Sequence, residues 1–104
     1  MDDAQAIALC KKRDPQGFDH LVRKYMRDAY VHALGLLGNH HDALELSQEC
    51  FVRAYKAIDR FDESRSFYPW LHRILRNACL NFIARKRPLT SAASPNPDQP
   101  GLAP

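Results

Sequence analysis

Helix-breaking residues occur at so few places in this chain that they divide it by themselves. Of its seven prolines, five lie in residues 88–104, PLTSAASPNPDQPGLAP. That stretch carries no aromatic and almost no large apolar side chain. It cannot bury enough surface to offset the entropy of ordering it, so it reads as a disordered linker or tail. The folded unit is then expected over residues 1–87, a single domain, in keeping with a length of 104 residues.

Within that unit apolar residues recur three and four positions apart, and no segment alternates as a strand would. A first helix is expected over about 3–13, with Ala6, Ile7, Leu9 and Cys10 as its apolar positions, stopping before Pro15. A second, over about 16–37, carries Phe18, Leu21, Val22, Tyr25, Ala29, Ala33, Leu34 and Leu37, and Gly38-Asn39 supplies the left-handed residue that ends it. A third begins near Asp42, a plausible cap with Glu45 three residues on, and ends near Asp59; its apolar face is Leu46, Cys50, Phe51, Ala54, Tyr55 and Ile58. Ser66 caps a fourth that runs to about Arg87, with Pro69 tolerated in the first turn. Its core stripe is Leu71, Leu75, Ala78 and Phe82, with Ile74 and Cys79 beside it, and Arg73, Arg76, Asn77, Leu80, Asn81, Ala84 and Arg87 opposite. The fold class expected is all-α, a compact domain of three to four helices.

Composition narrows the function. Charged residues are 26 % and hydrophobic residues 45 %, an ordinary globular balance. No apolar run approaches the ~20 residues that cross a bilayer, and the opening Asp2-Asp3 does not resemble a secretory leader. Three widely spaced cysteines without a CxxC pair suit a reducing cytoplasm. The net charge of +3 hides an asymmetry: residues 1–49 carry six basic and eight acidic side chains, whereas residues 50–87 carry nine and three. A basic half joined to a mildly acidic one suggests two partners, one of them a polyanion.

Two segments say more than helicity. In DALELSQECFVRAYKAI (42–58), Glu45, Gln48 and Glu49 share a helix face, with Val52 one turn on, a mixed stripe able to dock another helix. In SFYPWLHRILRNACLNFIARKR (66–87), Phe67, Tyr68 and Trp70 precede a run of arginines. Aromatics beside arginines next to a loop can stack unpaired bases and hold phosphates. Taken alone, that pattern is slightly better explained by a buried tryptophan and solvated arginines.

Together with FDHLVRKYMRDAYVHALGLLGN, these phrases stand in an order and spacing that resemble domain two of the extracytoplasmic-function (ECF) sigma factors of the sigma-70 family, over about residues 10–87. One phrase would be a weak signal; three in register are a strong one. The resemblance implies a transcription initiation factor domain whose third helix docks on the clamp coiled coil of bacterial RNA polymerase core. The matching positions are Glu45, Gln48, Glu49 and Val52. It also implies that the loop before the fourth helix, with that helix's first turns, melts the promoter minus-ten element and holds a flipped base of the non-template strand. Arg60, Phe61, Arg65, Phe67, Tyr68, Arg73, Arg76 and Asn77 match there. An anti-sigma protein is a further partner the family admits; no membrane partner is expected, since no apolar run is long enough to span one. The helix-turn-helix domain that reads the minus-thirty-five element has no counterpart here, so an isolated domain two is expected. The chain departs from the family in having Leu44-Glu45 for an acidic pair, Asn81 for the usual Asp, Ala84 for a frequent Arg, and Pro69 before the Trp.

Catalysis finds no support: there is no GxSxG, no P-loop and no poised carboxylate pair, and no cofactor is expected. His40-His41 with Cys50 lacks further ligands for a metal and reads as a solvated loop beside a core cysteine. The alternative to a DNA-binding initiation factor is a helical protein-interaction module, such as an anti-sigma target, without DNA activity in isolation.

Overall fold

The computed structural model describes residues 1–86, which form four α-helices and, among the described residues, no strand. The helices are α1 (Asp3–Lys11), α2 (Pro15–Leu37), α3 (His40–Ala57) and α4 (Phe67–Lys86), with a 3₁₀ turn at Ile58–Arg60. The expectation of an all-α domain is met. The expected tail, 88–104, and Arg87 lie outside the described residues.

Helix boundaries follow local chemistry. Asp2 caps α1 in a reciprocal box with Gln5: the Gln5 amide donates to the Asp2 carboxylate at 2.8 Å and the Asp2 amide to Gln5 Oε1 at 2.9 Å. The helix ends at Lys11, two residues before the expected stop, because Arg13 turns into the left-handed region at φ 63°. The Arg13 amide then donates to the Cys10 carbonyl and the Asp14 amide to the Leu9 carbonyl, both at 2.9 Å, the paired bonds of a Schellman ending. Asp14 caps α2, and Pro15 occupies its first turn, where a missing N–H costs nothing. Gly38, at φ 68°, closes α2 as expected.

The cap of α3 differs from the expectation. Asn39, in extended backbone, accepts from the Asp42 amide at 2.8 Å, so Asp42 is the third helical residue and not the cap. His40 and His41 therefore sit in the first helical turn and not in a loop. His40 Nδ1 shares a 2.6 Å hydrogen bond with the Tyr30 hydroxyl.

α2 packs against all three other helices. The short Gly38-Asn39 turn sends α3 back along it, bringing Phe18 and Tyr55 together at 4.9 Å. α4 runs beside α2 in the same direction, pairing Tyr25 with Tyr68 at 5.3 Å and His32 with His72 at 4.0 Å. The core holds Leu21, Ile58, Leu71, Leu75, Phe51, Phe61 and Phe67, with buried thiols at Cys10, Cys50 and Cys79. Each fully buried Leu or Ile contributes about 1.5–3 kcal/mol by leaving water. Close packing of α1 on α2 requires glycine at position 17. A Cβ there would fall on the Ala6 carbonyl oxygen and lie 2.7 Å from Leu9 Cβ and 2.8 Å from the Cys10 nitrogen.

On the expected faces Leu34 is exposed and Phe82, placed in the core stripe, is only half-buried against the core, while Ile74 lies beside that stripe as expected. A polar clamp also fastens α1 to α2. Asp3 accepts from the Tyr25 hydroxyl and, at 2.8 Å, from the Lys24 ammonium. Burial works to raise the Asp3 carboxyl, but these two hydrogen bonds outweigh it and hold the group below the ordinary carboxylate range.

Candidate functional site

The first candidate surface is the outer face of α3. Burying Leu46, Ser47, Cys50 and Phe51 turns Glu45 and Gln48 outward, with Val52 at 43 % exposure. Glu49 is half-buried and accepts from Arg53 Nε at 3.1 Å, one turn on, so its carboxylate is already engaged within the helix. Leu44, the residue standing in place of a carboxylate, lies exposed one turn before Gln48. The face is thus an apolar pair, Leu44 and Val52, flanked by acidic and amide groups. Such a surface suits a helical partner better than a phosphate.

The second surface is the loop from Arg60 to Ser66 with the first turns of α4. The loop is organised by Asp62, whose carboxylate accepts from the Ser64 amide at 2.9 Å and the Ser64 hydroxyl at 2.7 Å, while the Arg65 amide donates to the Asp62 carbonyl at 3.0 Å. Those Ser64 bonds hold the Asp62 carboxyl below its usual range. Arg65 reaches the same carboxylate at 3.6 Å. Lys11, from the end of α1, donates to the Phe61 carbonyl and pairs with Glu63, each at 3.0 Å.

The eight expected residues divide here into two groups. Arg60, Arg65, Arg73, Arg76 and Asn77 are exposed, and the last three share one face of α4 at three- and four-residue spacing. Among the described residues, Arg60, Arg73 and Arg76 form no ion pair. Phe61 and Phe67, by contrast, are 3 % and 4 % exposed, and their rings meet at 5.8 Å. Both were expected to offer a face to a base, and in this structure neither does. They wedge the loop onto the bundle because an apolar ring next to a helix start gains more from the core than from solvent. Tyr68 is half-buried against Tyr25, and burial pushes its hydroxyl up, with Asp28 and Cys50 adding to the shift.

Trp70, for which the sequence offered burial as one reading, is half-buried and lies 4.9 Å from Phe61 and 5.8 Å from Phe67. Sequence reasoning passed over two further features. Lys11 and Arg13 reach the loop and the end of α3 from a helix more than forty residues away. His32 and His72 meet between α2 and α4 with their rings tilted at 59°, and the His32 Nε2 atom is buried and unpartnered. Burial, then the nearness of His72 and Arg76, holds His32 below the usual imidazole value. Among the described residues no cluster of three or more His, Cys, Asp or Glu side chains could hold a metal ion. None of the described helices is long and apolar enough to cross a membrane.

With this geometry in place, the chain was compared with known proteins. A family model described as Sigma-70 region 2 matches residues 21–88. The ECF RNA polymerase sigma factor SigW of Bacillus subtilis is 41 % identical over 82 residues, covering 79 % of this chain and 44 % of the relative. SigG, an ECF RNA polymerase sigma factor of Mycobacterium tuberculosis, is 40 % identical over 107 aligned residues, 95 % of this chain and 29 % of the relative. The chain therefore spans less than half the length of either. Among solved structures, the NMR structure of an engineered region 2 of sigmaE in complex with GTAAAA is similar at a TM-score of 0.78 and 29 % identity, over 83 % of this chain and 90 % of that one.

Proposed function

This chain belongs to the Sigma-70 region 2 family and has ECF sigma factors as relatives, and from that premise we propose that it binds RNA polymerase core and holds the melted minus-ten element of a promoter. It acts in transcription initiation, in the cytoplasm where polymerase works, and needs no catalytic residue. The observation that carries the reading is the exposed row Arg73, Arg76 and Asn77 on α4, the helix that follows the Asp62-built loop, in a fold like that of a region 2 solved with GTAAAA.

Division of labour follows from chemistry. Arginines neutralise phosphates without reading sequence, whereas an asparagine amide can hydrogen-bond a base edge. Unstacking a base step costs on the order of a few kcal/mol, and a surface that accepts the displaced strand offsets it. In this reading Phe61 and Phe67 act from below, fixing the loop, while Arg60, Arg65 and the outer edge of Tyr68 face the strand. Glu45, Gln48, Glu49 and Val52, with Leu44, form the surface for the polymerase clamp coiled coil. An anti-sigma protein would compete for one of these faces.

The test is binding of labelled GTAAAA and of a permuted hexamer, with and without core polymerase, at several salt concentrations. Arg76→Ala weakens both strands alike and flattens the salt dependence by roughly 0.7 per lost single-strand contact. Asn77→Ala narrows the difference between the two strands. The pair Gln48→Ala and Glu49→Ala lowers affinity for core polymerase with helicity unchanged. Failure of the unaltered chain to bind either strand, even with polymerase, favours a protein-interaction module instead.

A further inference from the structure

We propose that Lys11 and Arg13, at the end of α1, are positioning residues that brace the loop at residues 61–66 and the 3₁₀ turn before it; the role in DNA binding rests on the reading given above. The family match begins at residue 21, after α1 has ended, so Lys11 and Arg13 lie outside it while their partners lie within it.

The brace has two arms. Lys11 Nζ donates to the Phe61 carbonyl and pairs with the Glu63 carboxylate, each at 3.0 Å, so that one ammonium grips the loop at two points. Arg13 Nη1 donates to the Tyr55 carbonyl at 3.0 Å, Nη2 to Asp59 at 2.9 Å, and the guanidinium lies 4.8 Å from the Tyr55 ring centre. Arg13 thus ties down the last turn of α3 and the 3₁₀ turn, and Lys11 ties down the loop between that turn and α4.

Backbone conformation strengthens the inference. The position Arg13 fills in the Schellman ending, at φ 63°, is where glycine is ordinarily found. An arginine there holds a strained conformation, and the structure retains it while both terminal guanidinium nitrogens bond to α3 and the 3₁₀ turn. The buried Phe61 ring anchors one end of the loop against Phe67 and Trp70, but polar ties from outside are few. Its own bonds run from Ser64 and Arg65 back to Asp62. Among the described residues, no other side chain from outside the loop hydrogen-bonds or ion-pairs with residues 61–66. Arg65 is therefore displayed from a segment whose external side-chain tether is Lys11, and Arg60 from the 3₁₀ turn that Arg13 holds through Asp59.

The test uses the full chain carrying Lys11→Met, Lys11→Arg or Arg13→Gly. Hydrogen exchange at the amides of residues 62–66 quickens by about fivefold in Lys11→Met, the factor expected for one lost hydrogen bond, while core amides of α2 and α4 are unchanged. Lys11→Arg restores protection. Arg13→Gly, which suits the left-handed position and keeps the fold, quickens exchange around residues 58–61 instead. On core polymerase, Lys11→Met binds GTAAAA about two- to fivefold more weakly with an unaltered salt slope, because it lowers the competent fraction and removes no phosphate contact. Unchanged exchange in Lys11→Met overturns the brace. Faster exchange with undiminished GTAAAA binding overturns the positioning role. Faster exchange in a chain that never binds the strand leaves the brace standing and removes the DNA reading instead.

Discussion

The two halves of α4 carry the same apolar periodicity and meet different fates. From Phe67 to Leu75 the inward side chains are received: Phe67 by Tyr25 and Phe61, and Leu71 and Leu75 by the core, each at 1 % exposure. From Arg76 onward only Ala78 and Cys79 are buried. Leu80 is 44 % exposed, Ile83 is exposed as well, and Phe82 is half-buried with the Lys86 ammonium 5.2 Å from its ring centre. α2, which runs beside the first half, ends at Leu37, where Gly38 turns the chain away. Periodicity selects a face of a helix; burial needs an opposing element of equal length.

The contrast can be broken most sharply at Leu75. Leu75→Ala removes a side chain closed in on all sides and is expected to cost about 2–5 kcal/mol, with each kcal/mol lowering Tm by ~4–8 °C in a domain of this size. A loss below about 1 °C in a thermal melt would mean that the first half is no better supported than the second. Phe82→Ala, on the second half, should cost about 1–2 kcal/mol, since only part of its ring leaves water on folding. A cost equal to that of Leu75→Ala would show the two halves to be alike.

A smaller effect, on the supported half alone, comes from pH. His32 is held below its usual value of 6.5 by burial, then by His72 and Arg76. The unfolded chain therefore takes up the proton first, and stability present above about pH 6.5 declines as pH falls toward the folded-state value. Tm should drop between about pH 7 and pH 5, and His32→Gln should flatten that profile. An identical profile in the variant would mean that the α2–α4 imidazole pair does not set the pH dependence. The smallest effect is at Leu80: Leu80→Ser should change stability by no more than ~0.5 kcal/mol in denaturant titration, as for other exposed sites.

What the sequence made legible was what depends on short range. The four helix bodies, the glycine ending α2, and the outward set Arg73, Arg76 and Asn77 all follow from spacing along one helix. The cap of α3 went to Asn39 rather than Asp42 because two adjacent stretches both present capping residues, and the extended backbone at Asn39 decides between them. Phe61 sits in an irregular loop with no period from which to deduce which side turns inward, whereas Phe67, four residues before Leu71 on the inward stripe of α4, lies within reach of spacing. Lys11 and Arg13 left no trace at all: their partners lie 42 to 50 residues away, beyond any local pattern.

Cys10, Cys50 and Cys79 are free and buried, one each on α1, α3 and α4. Burial, with Cys79 and Glu49 nearby, pushes the Cys50 thiol up to about 12, and burial raises the other two. A thiol reagent added to the folded chain meets no thiolate and must wait for the protein to open. Each sulfur then acts as a timer for its own helix. The order in which the three acquire label, read by mass spectrometry of quenched samples, is the order in which α1, α3 and α4 come away from the bundle.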